Sequence, residues 1–240
     1  SARFILDASI VKINTKKGHQ WLTLSDGKST ISAVIWASVS NKINYKPVID
    51  DGVLIVGKLN FWINRASLSV QVIDIKPTIS TILRKFEIVR KKLEQEGLID
   101  EARHRLLPRY PKAIGILTSA PSSALADIER TAKERWPLTK LVVIPIPVQG
   151  NVNSTLTNIL KNLSRSYKDF DIEAIILARG GGSREDLAFF DDEELCRELA
   201  LFPIPVVTGI GHEDDWTVAD LVADFRAANP TSAVINLLPS

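Results

Sequence analysis

This chain of 240 residues has one cysteine, no methionine and no long apolar run. Each lack excludes something. A single cysteine, Cys196, cannot form an intramolecular disulfide, and its isolation fits a reducing cytoplasm. It falls in a helical stretch and reads as core or surface filler. The missing methionine, absent even at position 1, points to a longer parent chain. No stretch approaches the roughly 20 apolar residues that span a bilayer, and no secretory leader opens the sequence. The expectation is a cytoplasmic protein without a membrane partner. Hydrophobic residues at 45% and charged residues at 24% match an ordinary packed globule of one large or two small domains.

The net charge is only +2, but it is unevenly spread. Residues 1–76 carry ten basic against five acidic groups, residues 77–110 eight against five, and residues 111–240 twelve against eighteen. A basic front and an acidic back suit a front that captures a polyanion.

Residues 1–77 read as a small all-β barrel. Strands are expected over 4–13, 19–25, 30–37, 53–62 and 68–76, separated by turn signals at Lys17-Gly18, Asp26-Gly27, Asp51-Gly52 and Asn64-Arg65. Alternation puts Val53, Ile55, Leu59 and Phe61 on one face, expected buried, and Lys58, Asn60 and Trp62 on the other. Five short strands in so few residues fit an OB-fold. Trp21 and Trp62 fall on the polar parity, with His19 and Lys58 near them. Aromatic rings among basic groups form a stacking platform for single-stranded nucleic acid. The alternative is that the indoles pack under a loop or against a second domain. Trp36 has no clear parity.

Residues 78–111 form a connector, with a helix over 79–96 closed by Gly97. From 112 to 240 the period changes. Strand-like runs at 113–117, 141–146, 174–178 and 205–210 alternate with helical stretches at 123–135, 154–166, 192–201 and 216–226. That is the pattern of an α/β domain with a parallel sheet. A last apolar stretch, 231–238, lacks a clear cap.

Three stretches carry chemistry. Arg179-Gly180-Gly181-Gly182-Ser183 follows a buried strand; its N–H groups can nest an anion and Arg179 adds a fork matched to phosphate. It is neither a Walker loop nor a dinucleotide fingerprint, and a plain tight turn is the other reading. Gly211-His212-Glu213-Asp214-Asp215 offers a proton carrier with carboxylates to orient it. It could equally hold a divalent metal such as Mg, and Asp214 or Asp215 is expected to cap the following helix. Thr118 and Ser119 lead from a strand into a helix and offer a second anion site; Asp127 lies one turn in and alone reads as a surface carboxylate.

Together these residues resemble the exodeoxyribonuclease VII large-subunit family. The resemblance runs through Glu96-Gly97-Leu98, Leu107-Pro108, Ile116 to Ser119 with Asp127-Ile128, Val148-Gln149-Gly150, Arg179 to Ser183 with Glu185-Asp186-Leu187, Gly211-His212-Glu213 with Asp215, then Asp220, Ala223-Asp224 and Arg226-Ala227. It implies a nuclease that degrades single-stranded DNA from both ends to short oligonucleotides. It implies an OB-fold ahead of a catalytic α/β domain, and a further helical region, absent here, that binds copies of a small subunit. The family's catalytic groups fall on Asp127, Arg179, His212 and Asp215. A metal is not always required in the family, so Mg is an optional cofactor. The chain departs from the pattern at Pro121, Ser122 and Ser123, at Asp191, where asparagine is usual, and at 229–233. Two rival functions are a catalytically silent single-strand binder and a metal-dependent phosphohydrolase of small substrates.

Overall fold

This computed structural model describes residues 2–43, 45–63, 66–147, 152–211 and 214–239. The chain divides into two compact units, one ending at Arg84 and one beginning at Lys85.

The first unit is a closed barrel of five strands: β1 (Arg3–Lys16), β2 (His19–Ser25), β3 (Thr30–Ile35), β4 (Gly52–Trp62) and β5 (Ser67–Pro77), in the order β1-β2-β3-β5-β4. A short helix, α1 (Ala37–Ser40), follows β3. Closure depends on β1. Its first half pairs with β4, from Arg3 opposite Lys58 to Ser9 opposite Gly52; its second half pairs with β2, ending with Lys16 opposite His19. The register shifts between Ile10 and Lys12, and such an irregularity bends a strand and closes a sheet. Ile10, Leu22, Leu24, Ile35, Val53, Ile55 and Val72 fill the interior. The Asn64-Arg65 turn lies outside the described residues.

One expectation fails here. Leu59 and Phe61 keep the parity of Ile55, but they are 50% and 56% exposed. Pairing of β1 with β4 stops at Lys58. Beyond it the β4–β5 hairpin runs on with no wall opposite, so apolar parity there does not mean burial.

Helix α2 (Ile79–Gln95) begins in the first unit and ends in the second. The second unit then alternates β6 (Ala113–Thr118), α3 (Ser123–Arg135), β7 (Lys140–Pro145), α4 (Val152–Ser166), β8 (Ile172–Ala178), α5 (Arg184–Leu187), α6 (Glu193–Ala200), β9 (Val206–Gly209), α7 (Val218–Val222), β10 (Phe225–Arg226) and α8 (Pro230–Leu237). All strands are parallel, in the order β10-β9-β8-β6-β7. Both faces are covered, which is why β6 is apolar at nearly every position and buried throughout. Leu117, Ile175, Leu177 and Val206 pack in one cluster with residues of α4 and α6. Ile116, Ile176, Ala178 and Val207 pack in another with residues of α3 and α8.

The helix expected over 216–226 is much shorter. It ends at Val222, and Phe225 and Arg226 instead extend the sheet beside Val207 and Thr208. The Asp224 carboxylate explains the break. It accepts the Val206 N–H at 2.6 Å and the Arg105 N–H and Nε at 2.7 and 2.8 Å. Tertiary pairing overrides helical periodicity there. The tail proves capped, since Asn229 accepts the Ser232 N–H at 2.8 Å ahead of α8. Of the two settings open to Cys196, core or surface, the structure shows the core, and burial pushes its thiol up.

The barrel wall leaves no room at Gly57. A Cβ there would stand 2.5 Å from Val70 Cγ1 and 3.2 Å from the Gln71 carbonyl oxygen. Val70 is buried and stiff at χ1. Gly57→Ala should therefore destabilise the barrel by roughly 1–3 kcal/mol, read as an earlier transition in denaturant unfolding. An unshifted transition would mean that the wall yields.

Candidate functional site

Strand order places the site. Counted from β6, the sheet runs 2-1-3-4-5, so its winding reverses between β6 and β8. Ligands of open α/β sheets bind outside the carboxyl ends of the strands at such a reversal. The loops that leave there are 119–122, after β6, and 179–183, after β8. They meet: a Cβ on Gly180 would stand 3.6 Å from Ser123 Oγ and 3.9 Å from Ala124 Cβ at the start of α3. The glycine loop and the helix that carries Asp127 are thus neighbours. Thr118 is fully buried, and Ser119 is the half-buried first residue of the loop. Ser122 caps α3 by accepting the Leu125 N–H at 3.1 Å. Asp127 is partly exposed and pairs with Arg130 at 2.7 Å.

Arg179 follows β8 and is half-buried. Its Nη1 donates to the Asp186 carbonyl at 2.5 Å, and its guanidinium lies 5.8 Å from the Phe189 ring centre. A Cβ on Gly182 would stand 3.3 to 3.4 Å from the guanidinium atoms. The glycine loop is folded over its own arginine. Burial lowers the Arg179 pKa from its usual value and the nearby Asp186 opposes that shift. Part of the donor fork expected for phosphate is therefore spent on the loop. Asp186 also accepts the Ser183 N–H at 3.3 Å, closing the first turn of α5.

The third loop leaves β9 beside β8, with the Arg179 N–H donating to the Gly209 carbonyl at 3.2 Å. Gly211 has φ +71°, and a Cβ there would meet Leu187 Cδ1 at 2.9 Å and Asp215 Cβ at 3.2 Å. Only glycine fits that conformation in that space. Gly211 thereby packs the Glu185-Asp186-Leu187 stretch against Asp215. His212 and Glu213 lie outside the described residues, as do Val148, Gln149 and Gly150. The expectation that Asp214 or Asp215 caps the next helix is corrected: Thr217 caps α7, in a box in which Asp220 Oδ2 accepts the Thr217 N–H at 2.9 Å. Asp215 is half-buried beside Gly211. Trp216, 45% exposed, stacks against Arg226 at 4.0 Å.

Two carboxylates that the sequence reading named only as a departure from the family pattern, Asp191, and a match to it, Asp220, prove to be buried. Asp191 lies in the 3-10 turn Ala188–Asp191 and pairs with Arg184. Burial pushes its pKa up to about 6, with Arg184 working against the rise. Burial also raises Asp220, countered by the hydroxyls of Thr208 and Thr217. Asp220 lies within the apolar run 218–222, which was an available signal; Asp191 opens the acidic run 191–194, which hid it. Among the described residues no three His, Cys, Asp or Glu side chains converge as around a cation.

In the barrel, register puts Lys16 beside His19, Trp21 beside Asn14 and Val34, and Trp62 beside Ser67. Trp21, Trp36 and Trp62 cluster with ring centres 6.0 to 6.5 Å apart. The Trp62 indole N–H donates to Ser69 Oγ at 2.8 Å. His19 Nδ1 accepts the Ala37 N–H at 3.0 Å and its ring meets Trp36 edge-on at 5.0 Å. An open groove of about 810 Å³ is lined by Lys16, Trp21, Phe61, Trp62, Ile63 and Leu68, with serines between. Lys58 shares the parity of Trp62 on β4 and is partly buried. Trp36 and Lys16 were missed in the sequence. The apolar run Ala33-Val34-Ile35 hid the parity of the first, and the bulge in β1 that of the second.

Comparison with known proteins agrees with this division. A family model described as an OB-fold nucleic acid binding domain matches residues 1–76. One described as exonuclease VII, large subunit, matches residues 98–240, a span that holds all three loops. The exodeoxyribonuclease 7 large subunits of Parasynechococcus marenigrum (strain WH8102) and Synechococcus sp. (strain CC9605) are each 60% identical over 237 residues, which is 99% of this chain and 61% of each relative. That of Bacillus mycoides (strain KBAB4) is 35% identical over 225 residues, 93% of this chain and 49% of the relative. The chain thus spans less than two thirds of the length of the relatives it matches. With the matched span taking in more than half of its residues, the chain belongs to the exonuclease VII large-subunit family.

Proposed function

We propose that this chain hydrolyses phosphodiester bonds of single-stranded DNA, working from both ends to short oligonucleotides. The observation that carries the reading is that two loops leave the sheet at its winding reversal, Ser119–Ser122 and the glycine loop folded over Arg179, and that the neighbouring loop after β9 is held by Gly211 against Leu187. Such a crevice offers backbone N–H groups and a guanidinium to a phosphate whose charge grows in the transition state. In this reading Gly180, Gly181, Gly182 and Ser183 cradle the phosphate, with Ser119 and the start of α3 on the far side. Arg179 steadies the loop with one nitrogen and offers the rest of its fork. His212 carries the proton and Asp215 orients it. Asp127 positions the attacking water. The barrel groove captures the strand, with bases stacking on Trp21, Trp36 and Trp62 and Lys16 and Lys58 near the backbone. The names of the relatives support the activity, and "large subunit" supports a small-subunit partner. The tryptophan groove alone would suit a chain that only binds. A cleavage assay on end-labelled single strands and duplex, with and without small subunit and chelator, separates the two.

His212→Ala should reduce cleavage by at least about a hundredfold, the size of a typical proton-transfer contribution, and leave single-strand affinity almost unchanged. Near-normal turnover would remove the histidine from the mechanism.

Trp62→Ala should weaken single-strand affinity by roughly 1–3 kcal/mol. Titration followed by fluorescence anisotropy reads this, and circular dichroism checks the fold. An unfolded variant would show instead that the indole and its Ser69 contact are structural.

Lysine at position 179 keeps the charge and loses the fork. Arg179→Lys should therefore turn over almost as poorly as Arg179→Ala. Rescue by lysine would mean that only diffuse positive potential matters. Equal loss of melting temperature and activity in both would reduce Arg179 to a loop brace.

A further inference from the structure

Asp191 touches both loop systems from beneath. Its carboxylate pairs with Arg184, the first residue of α5, next to Ser183 of the glycine loop. Its Oδ1 accepts the Val218 N–H at 2.9 Å. Val218 opens α7, just beyond Asp215 and Trp216. The first N–H groups of a helix have no acceptor within the helix, and here a side chain from another segment supplies one. The Arg184 end is held in turn, with the guanidinium 5.7 Å from the Phe86 ring centre.

The pair is deeply buried: the Asp191 side chain is 4% exposed and that of Arg184 13%. A buried ion pair is a poor source of net stability, because desolvation offsets most of the attraction. What it supplies is geometry. Asp191 spans 7 residues back to Arg184 and 27 residues forward to Val218. A second link between the same segments is apolar, where Leu187 closes on Gly211. The two links bracket the stretch that contains Asp215. The box between Thr217 and Asp220 stiffens the far side. Asp192, Cys196 and Asp220 are the other titratable groups grouped around this point.

We propose that Asp191 is a positioning residue that tethers the glycine loop, through Arg184, to the loop bearing Asp215, through the Val218 N–H, and so sets the spacing between phosphate cradle and Asp215. This rests on the nuclease reading above. It adds a residue that contacts neither substrate nor reacting atoms and acts through two others.

The test compares Asp191→Ala and Asp191→Asn with the unsubstituted protein. Four quantities are measured: kcat and KM on single strands, single-strand affinity, melting temperature and hydrogen exchange at the Val218 amide. Asp191→Ala should lower kcat by about a hundredfold, the cost of displacing a reacting group by about an ångström. KM and affinity should hold, and the Val218 amide should exchange faster. Asp191→Asn, the residue usual in the family, keeps an acceptor for that N–H and should recover most of kcat while leaving Val218 protected. If alanine at 191 prevents folding, Arg184→Ala, which cuts the other end of the tether, carries the comparison, with a kcat below normal at unchanged KM. Unchanged kcat per folded molecule with a lower melting temperature would overturn the proposal, leaving Asp191 merely structural. Unchanged exchange at Val218 in the alanine variant would overturn the tether itself. An unsubstituted protein that cleaves nothing, with or without its small subunit, would sink the nuclease reading and the catalytic half of this inference together.

Discussion

A backbone position that can carry no side chain sets the register between two loops of the second unit. At Gly211 the chain turns with φ +71°, and Leu187 and Asp215 both close to within about van der Waals distance of where a Cβ would stand. Because Leu187 belongs to the helix that follows the glycine loop, its approach to Gly211 fixes how near that loop lies to Asp215. The polar contacts of Asp191 and Asp220 then act on an arrangement already brought together by apolar packing. Without the close approach, those buried carboxylates would face each other and their arginines across a gap that water could fill, and their geometry would relax.

The cost of this arrangement is visible in its electrostatics. Asp191 and Asp220 are both buried, and burial raises both above the ordinary carboxylate range. Natural cores seldom hold two such groups unless something is gained. Asp220 lies by Thr208 at the carboxyl end of β9, where an α/β sheet gathers its ligand chemistry. The barrel solves a simpler problem. Its outward face bears three indoles in mutual contact, and one of them is fixed by Ser69. Rings fixed in this way lose little further entropy when a base stacks on them.

Most of the architecture was legible in the sequence because it follows from period. Alternation gave five barrel strands, and apolar runs flanked by helical stretches gave the parallel sheet. Legibility failed where a contact from afar decided the outcome. Phe225 and Arg226 look helical, yet Asp224 is held by Arg105 and Val206, so the chain is drawn into a fifth strand. Leu59 and Phe61 have core parity but lack an opposing strand. At the candidate site, the loops and their residue types could be read directly. The fold of Arg179 beneath its own glycines could not, since nothing in the spacing of Arg179 and Asp186 announces a guanidinium-to-carbonyl contact. Nor could Asp191, whose partners lie in two other segments.

The clasp between Arg105 and Asp224 has a bearing on how the second unit is assembled. It joins residues 119 positions apart, and the same carboxylate secures the backbone of β9. Non-local closures of this kind slow folding, because the entropy of ordering the chain is lost before the contact forms. On the ribosome the connector would emerge long before its partner. Until Asp224 arrives, Arg105 is unpaired, the edge of β9 is open, and the sheet presents an uncovered row of N–H and C=O groups. The second unit thus reaches its protected state only after Asp224 has emerged, and the interval before then is when it most needs a chaperone.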